Sequence, residues 1–270
     1  MALERINTPN HIEKSQDTIV NPLKELVIEK IHSKEYASLM DPIVQRIDKD
    51  WVGSINESFL LWNDYRVGYQ ETVSLLANIL DIEEPRVDIH IIPESERKRY
   101  PIARCGDEGG TIRIFHTEND SYHGTGKIID PIRKIAHEMW HAYQYNEIRK
   151  HGPKSAVYQD NLSDYYRIGQ EATLEEQTAY FRQPIEEEAI VFGEKFTIEF
   201  IKKLIDSLND ELSDERNSLI GKTAISSTIV NAQSDEDEDF FAAETEMKVK
   251  QLDRIKKLYA RIKEYYNLDE

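Results

Sequence analysis

Asp130-Pro-Ile-Arg-Lys-Ile-Ala-His137-Glu138-Met139-Trp140-His141-Ala-Tyr-Gln-Tyr-Asn-Glu-Ile-Arg-Lys150 reads as one amphipathic helix carrying two histidines four residues apart. Asp130 is a good N-cap and Pro131 suits the first helical position. His151-Gly-Pro153 closes the helix. At ~100° per residue the two imidazoles stand about 40° apart around the axis and one turn along it. Both therefore reach one ion at a Zn–N distance of about 2.0–2.1 Å. Glu138 projects to the side, where a carboxylate meets a metal-bound water rather than the metal. Ile132, Ile135, Met139 and Tyr143 fall on the opposite side, flanked by Ala136 and Ala142. The back of the helix can thus enter a core while His137 and His141 face a cleft. Trp140 and Tyr145 lie beyond that stripe and are expected to line the cleft.

Two histidines leave a tetrahedral ion short of the three protein donors that a catalytic site uses. The extended His-Glu-x-x-His-x-x-Gly-x-x-His pattern fails, because its glycine and third histidine positions hold Gln144 and Glu147. His151 reaches the ion only if the chain doubles back. The stronger source of a third donor is Gln183-Pro-Ile-Glu-Glu-Glu-Ala-Ile-Val-Phe-Gly193. On a helix starting near Pro184, the apolar stripe runs through Ala189, Gly193, Phe196, Phe200 and Leu204, and Glu186 lies within ~80° of every member. A carboxylate on an apolar stripe is costly unless it is paired or binds a metal. Glu187 and Glu188 rotate away by about 100° and 200° and suit the positive end of a helix dipole. Glu186 is the favoured third ligand, with Glu187, Glu188, Glu175 and Glu176 as alternatives. The small residues at 189 and 193 let this helix approach another closely.

Working outward, residues from about Val20 to Leu80 carry apolar residues at helical spacing, including one stretch from Phe59 to Ile79. Arg86-Val-Asp-Ile-His-Ile-Ile92 alternates and is rich in β-branched residues, so it reads as a strand. Pro93 to Glu108 reads as a loop, Gly109 to Phe115 as a second strand, and Glu118 to Gly126 as a turn-rich connection. Helical character resumes from about Asp164, and Ile185 to Leu208 is strongly helical. Ser234 to Asp239 reads as a solvated acidic linker, and Phe240 to Tyr266 as a charged amphipathic packing helix. The expected class is α+β: mostly helical, with a small antiparallel or mixed sheet bordering the His-Glu-x-x-His helix. Three regions follow: an N-terminal helical region over 1–82, a core over 83–210, and an acidic linker with a helix over 211–270.

The 270 residues include 34 Lys plus Arg and 51 Asp plus Glu, a net charge of −17. That balance argues against nucleic-acid binding through a general basic surface. The single cysteine, Cys105, excludes an intramolecular disulfide and a Cys-rich zinc module. The first ten residues lack the basic-then-apolar pattern of a secretory signal, and no run approaches the ~18 apolar residues that span a bilayer. The expectation is a cytoplasmic protein with no membrane or nucleic-acid partner. Oligomeric state is not legible.

His137-Glu-x-x-His141 followed about 45 residues on by Glu186-x-x-Ala189 resembles the zinc metallopeptidases of the zincin superfamily, in the glutamate-ligand, gluzincin-like branch. The small ImmA/IrrE-type peptidases share a Glu-x-x-Ala-Asn-x-Phe-Ala pattern. This chain has Glu186-x-x-Ala189-Ile190-x-Phe192-Gly193, with Ile for Asn and Gly for the final Ala. The resemblance covers about residues 86–205. It implies that His137, His141 and Glu186 bind Zn²⁺ and that Glu138 is general base, then acid. It also implies peptide-bond hydrolysis through a metal-activated water, on a protein or peptide substrate. The strand from Gly109 to Phe115 matches the edge strand that borders the zincin cleft, where a substrate backbone adds by β-pairing. His123, Tyr158, Tyr165, Tyr166 and Tyr180 are candidate oxyanion donors. His116 and His90, in or beside strands, read as packing residues. Two other readings stand beside this one. One is a non-proteolytic zinc hydrolase or zinc sensor using the same ligands; the other is a helical interaction module in which the His-Glu-x-x-His run is fortuitous.

Overall fold

The structure is a computed structural model that describes residues 22–60, 65–117, 126–152, 173–226 and 235–268. Four helices come first: α1 (Pro22–Ile31), α2 (Lys34–Val44), α3 (Lys49–Leu60) and α4 (Tyr65–Leu80). Ser33 caps α2 by accepting from the Tyr36 amide. The helical periodicity that runs through Phe59 and on to Ile79 is divided between α3 and α4. Phe59 and Tyr69 then meet edge to face, with ring centroids 5.3 Å apart, in a geometry that adds to the gain from burying both rings.

The sheet has three strands, β1 (Arg86–Ile92), β2 (Ala103–Gly106) and β3 (Thr111–Thr117), in the order β1-β3-β2. β3 pairs parallel with β1 and antiparallel with β2. The class is α+β, mostly helical with a small mixed sheet. The position of the Gly109-to-Phe115 strand differs from expectation: it is the central strand, not an edge. The difference arises because the segment read as a loop, Pro93 to Glu108, supplies a 3₁₀ turn (Glu94–Arg99) and the edge strand β2. Ala-Arg-Cys-Gly has little intrinsic strand preference, so β2 owes its existence to pairing with β3.

Helix α5 (Gly126–His151) begins four residues before Asp130. Pro131 therefore sits inside the helix, without the N–H that would bond residue 127. Ile128 and Ile129 are buried, and their burial draws the helix back past the expected cap. Asp130 pairs with Arg133 instead of capping. Thr173 and Glu176 form a capping box at the start of α6 (Leu174–Phe181). Helix α7 (Pro184–Ser226) takes in residues 211–226, which the sequence places in a separate C-terminal region. Residues 235–239 of the acidic run open α8 (Asp235–Tyr266) rather than forming a linker, while Ser234 lies outside the described residues.

Helix α7 is the spine of the molecule. Its apolar face, including Ala189, Phe192, Phe196, Phe200, Ile201 and Leu204, is fully buried against α5, α3 and α8. Helix α8 runs back along it: Lys248 pairs with Glu211, Lys256 with Asn209, and Tyr266 bonds Glu194 near the start of α7. One core cluster draws on α2, α3, α4, β3, α5, α7 and α8. Among the described residues no helix is long and apolar enough to cross a membrane.

Candidate metal centre

The site is set by how closely α5 and α7 approach. A Cβ added at Gly193 would lie 3.1 Å from the Arg133 carbonyl oxygen and 3.5 Å from His137 Cβ. The absence of a side chain at 193 therefore lets the helices meet backbone to backbone, as the small residues at 189 and 193 suggest. Two turns earlier on α7, Glu186 is brought against both histidines. Its Oε2 lies 3.5 Å from His137 Nε2 and its Oε1 3.4 Å from His141 Nε2. The two Nε2 atoms are 3.2 Å apart.

Each imidazole meets a different Glu186 oxygen, so the carboxylate faces the histidine pair with both oxygens, and one donor atom from each of the three residues lies within 4.8 Å of the other two. The Glu186 side chain is 2% exposed, whereas His137 and His141 keep 18% and 12%. The carboxylate lies at the back and the imidazoles present edges toward solvent. Burying a carboxylate between two imidazoles is unfavourable by itself, and a cation among the three donors offsets that cost. Two imidazole nitrogens and a carboxylate suit a borderline ion such as Zn²⁺. Among the described residues the cluster has three donors, the number of protein ligands that a catalytic zinc site uses.

Gln144 orients His141. Its amide nitrogen donates to the Ile185 carbonyl at 3.1 Å and to Glu188 Oε2 at 3.0 Å. The amide oxygen therefore faces the ring and accepts from His141 Nδ1 at 2.9 Å. With the proton on Nδ1, the Nε2 lone pair points at the cluster, the arrangement a metal-binding histidine needs. Gln144 is fully buried. The same Glu188 oxygen accepts from the Trp140 indole at 3.1 Å. Trp140 is also fully buried and stacks on Phe192, ring centroids 4.5 Å apart, so it is a core residue rather than a cleft-lining one.

Glu138 lies against the sheet's antiparallel edge. Its Oε2 accepts from the Cys105 backbone amide at 2.6 Å. The Phe115 amide bonds to the Ile102 carbonyl, and antiparallel pairs alternate between bonded and unbonded. Cys105, paired with Ile112, therefore turns its N–H away from β3, toward α5. The turn after β2 is pressed on the same helix. Gly109 has φ +91°, and a Cβ there would lie 3.1 Å from the Ala142 Cα. Burial, aided by the Glu138 charge, pushes the Cys105 thiol pKa up to about 12.

The other acidic candidates have separate occupations. Glu187 accepts from Tyr36 Oη at 2.8 Å and pairs with Lys30 at 2.8 Å. Glu176 serves the α6 capping box, and Glu175 is exposed in the same turn. His151 pairs with Glu147 at 3.2 Å, away from the cluster. His116 stacks on Tyr65 and His90 on Phe115. Tyr180 is half-buried on α6, while His123, Tyr158, Tyr165 and Tyr166 lie outside the described residues. Sequence reasoning missed Gln144 and the Cys105 amide. Gln144 is three residues after His141 and so on its face of the helix, a spacing that marks it; nothing local marks the amide. The chain matches no protein-family model, no curated protein and no solved structure.

Proposed function

We propose that the chain is a zinc-dependent metallopeptidase that hydrolyses peptide bonds in a protein or peptide substrate. The observation that carries this reading is the cluster of His137, His141 and Glu186: the two Nε2 atoms are 3.2 Å apart, and the Glu186 carboxylate meets each of them with a different oxygen, at 3.4 and 3.5 Å. A zinc ion held there supplies a Lewis acid that polarises a carbonyl and lowers the pKa of a water toward ~7. Glu138 is the neighbouring base. The Cys105 amide holds Oε2 and fixes the carboxylate plane, so Oε1 is left to take the proton from water and to pass it to the departing amine. Gln144 keeps the His141 proton on Nδ1 throughout. The single thiol suits a reducing compartment, and we place the protein in the cytoplasm on that ground.

Zinc per chain, measured by elemental mass spectrometry, is the first test. About one zinc is expected in the natural protein and none in His137→Ala or Glu186→Ala. Glu138→Gln should keep its zinc and lose cleavage of an unfolded protein such as casein by roughly 10²-fold or more. A natural protein that stays metal-free when zinc is supplied overturns the proposal and favours the helical interaction module. Stoichiometric zinc without any peptide cleavage points to the sensor or non-proteolytic hydrolase.

A further inference from the structure

A cavity of about 180 Å³ opens beside His137, walled by α1, α5, α7 and the end of α8. Its volume equals on the order of six waters at ~30 Å³ each, enough for a short polar side chain. The lining is strongly cationic for a chain with a net charge of −17: two lysines from α1, Arg133 and Lys134 from α5, against Glu187 and Glu194. The two acids are already engaged. Glu187 pairs with Lys30 at 2.8 Å and Glu194 with Arg133 at 2.7 Å. Lys24 and Lys134 remain. Lys24 stands 4.0 Å from the Tyr265 ring centroid, a contact that leaves its charge uncompensated. Lys134, exposed at the mouth, has no carboxylate partner among the described residues. It precedes His137 by three residues and shares its helix face.

We propose that this cavity is a carboxylate subsite, which takes an acidic side chain or the terminal carboxylate of a peptide lying next to the bond at the metal. Its assignment to a peptide rests on the metallopeptidase reading. The anion lies between Lys134 and Lys24, one helical turn from His137, so acidic residues beside the scissile bond are selected against their amides. The global negative charge opposes approach of acidic peptides from afar. The paired lysines act only within about a Debye length of ~8–10 Å, so recognition is a contact property of the cavity.

The test uses Glu138→Gln protein, which keeps the three ligands. It is titrated with four fluorescent peptides of one sequence, with Glu or Gln at the centre and a free or amidated C-terminus. Binding of the Glu peptide roughly tenfold more tightly than the Gln peptide is expected, as a charge-assisted contact provides. A preference that follows the free C-terminus instead assigns the subsite to the terminal carboxylate. Either preference should fall to within about twofold when Lys24→Gln and Lys134→Gln are added, at unchanged zinc content. The single exposed substitution Lys134→Glu guards against misfolding of that variant and should turn the preference toward a peptide with Lys at the centre. Equal binding of all four peptides overturns the subsite, and so does a preference that survives loss of both lysines. Cleavage by the natural protein is scored separately. Cleavage without acid preference removes the subsite and leaves the peptidase standing, whereas acid preference without cleavage or zinc does the reverse.

Discussion

The Cys105 backbone amide donates to Glu138 Oε2 across 2.6 Å, tying the free edge of the sheet to the residue between the two histidines. The same contact sets the carboxylate beside the Cys105 side chain, and together with burial it holds the thiol neutral, its pKa pushed up to about 12. At pH 8 the thiolate is then on the order of 10⁻⁴ of the population, against roughly a quarter for a free cysteine of pKa ~8.5. Alkylation of Cys105 by iodoacetamide should be at least about a hundredfold slower in the native protein than in urea, and faster in Glu138→Gln than in the natural protein. The sign for stability follows: between ~8.5 and about 12 the unfolded thiol ionises and the native one does not, so stability falls as pH rises. Cys105→Ala should flatten that part of the pH profile in urea unfolding. Equal labelling rates in buffer and in urea would refute the half-buried, charge-shadowed thiol.

Gln144 should control zinc affinity without touching the metal. In Gln144→Leu the volume is similar, but His141 Nδ1 loses its acceptor and Ile185 and Glu188 lose a donor. Zinc affinity should drop roughly 10- to 100-fold, the usual cost of losing such a partner. Competition against a chromophoric chelator measures it. Affinity within twofold of the natural protein would show that Gln144 is only packing.

Those residues also show what a single sequence reveals about this molecule. His137, His141 and Glu186 stand out because each is decided by helical periodicity within its own segment, and the structure brings the three together. Long-range effects decide the features that sequence alone misplaces. The strand β2 exists through its pairing with β3, and four residues containing Ala and Gly carry no strand pattern. The start of α5 is settled by the burial of Ile128 and Ile129, which outweighs a good cap at Asp130. Trp140 sits at the border of the buried stripe, and its side is chosen by Phe192 and Glu188, about fifty residues away.

Gly193→Ala tests the helix contact that places Glu186. The added methyl meets the Arg133 carbonyl at 3.1 Å, a backbone atom that moves only with its helix. Overpacking of this kind costs about 1–3 kcal/mol, and the displacement separates α7 from His137. Urea unfolding should show that loss, and chelator competition should show weaker zinc binding in the same variant. Full stability together with natural zinc affinity would mean that the two helices are not held this close.

Glu186→Met separates the cost of the buried carboxylate from its use. The Glu186 side chain is 2% exposed and surrounded by two imidazoles and the apolar face of α7. A buried charge replaced by an apolar side chain of similar length is often neutral or stabilising. In chelator-treated protein the variant should therefore melt at the same temperature as the natural chain or higher. Zinc should reverse the ranking, because a ligand that binds only the folded state adds about 2.7 kcal/mol at a hundred times its Kd. The variant, lacking its third donor, should gain little. If chelator-treated Glu186→Met melts well below the natural protein, the carboxylate is stabilised by its protein neighbours alone, and no cation is needed to account for its burial. If both proteins gain equally from zinc, the metal binds elsewhere and the cluster of donors has some other role.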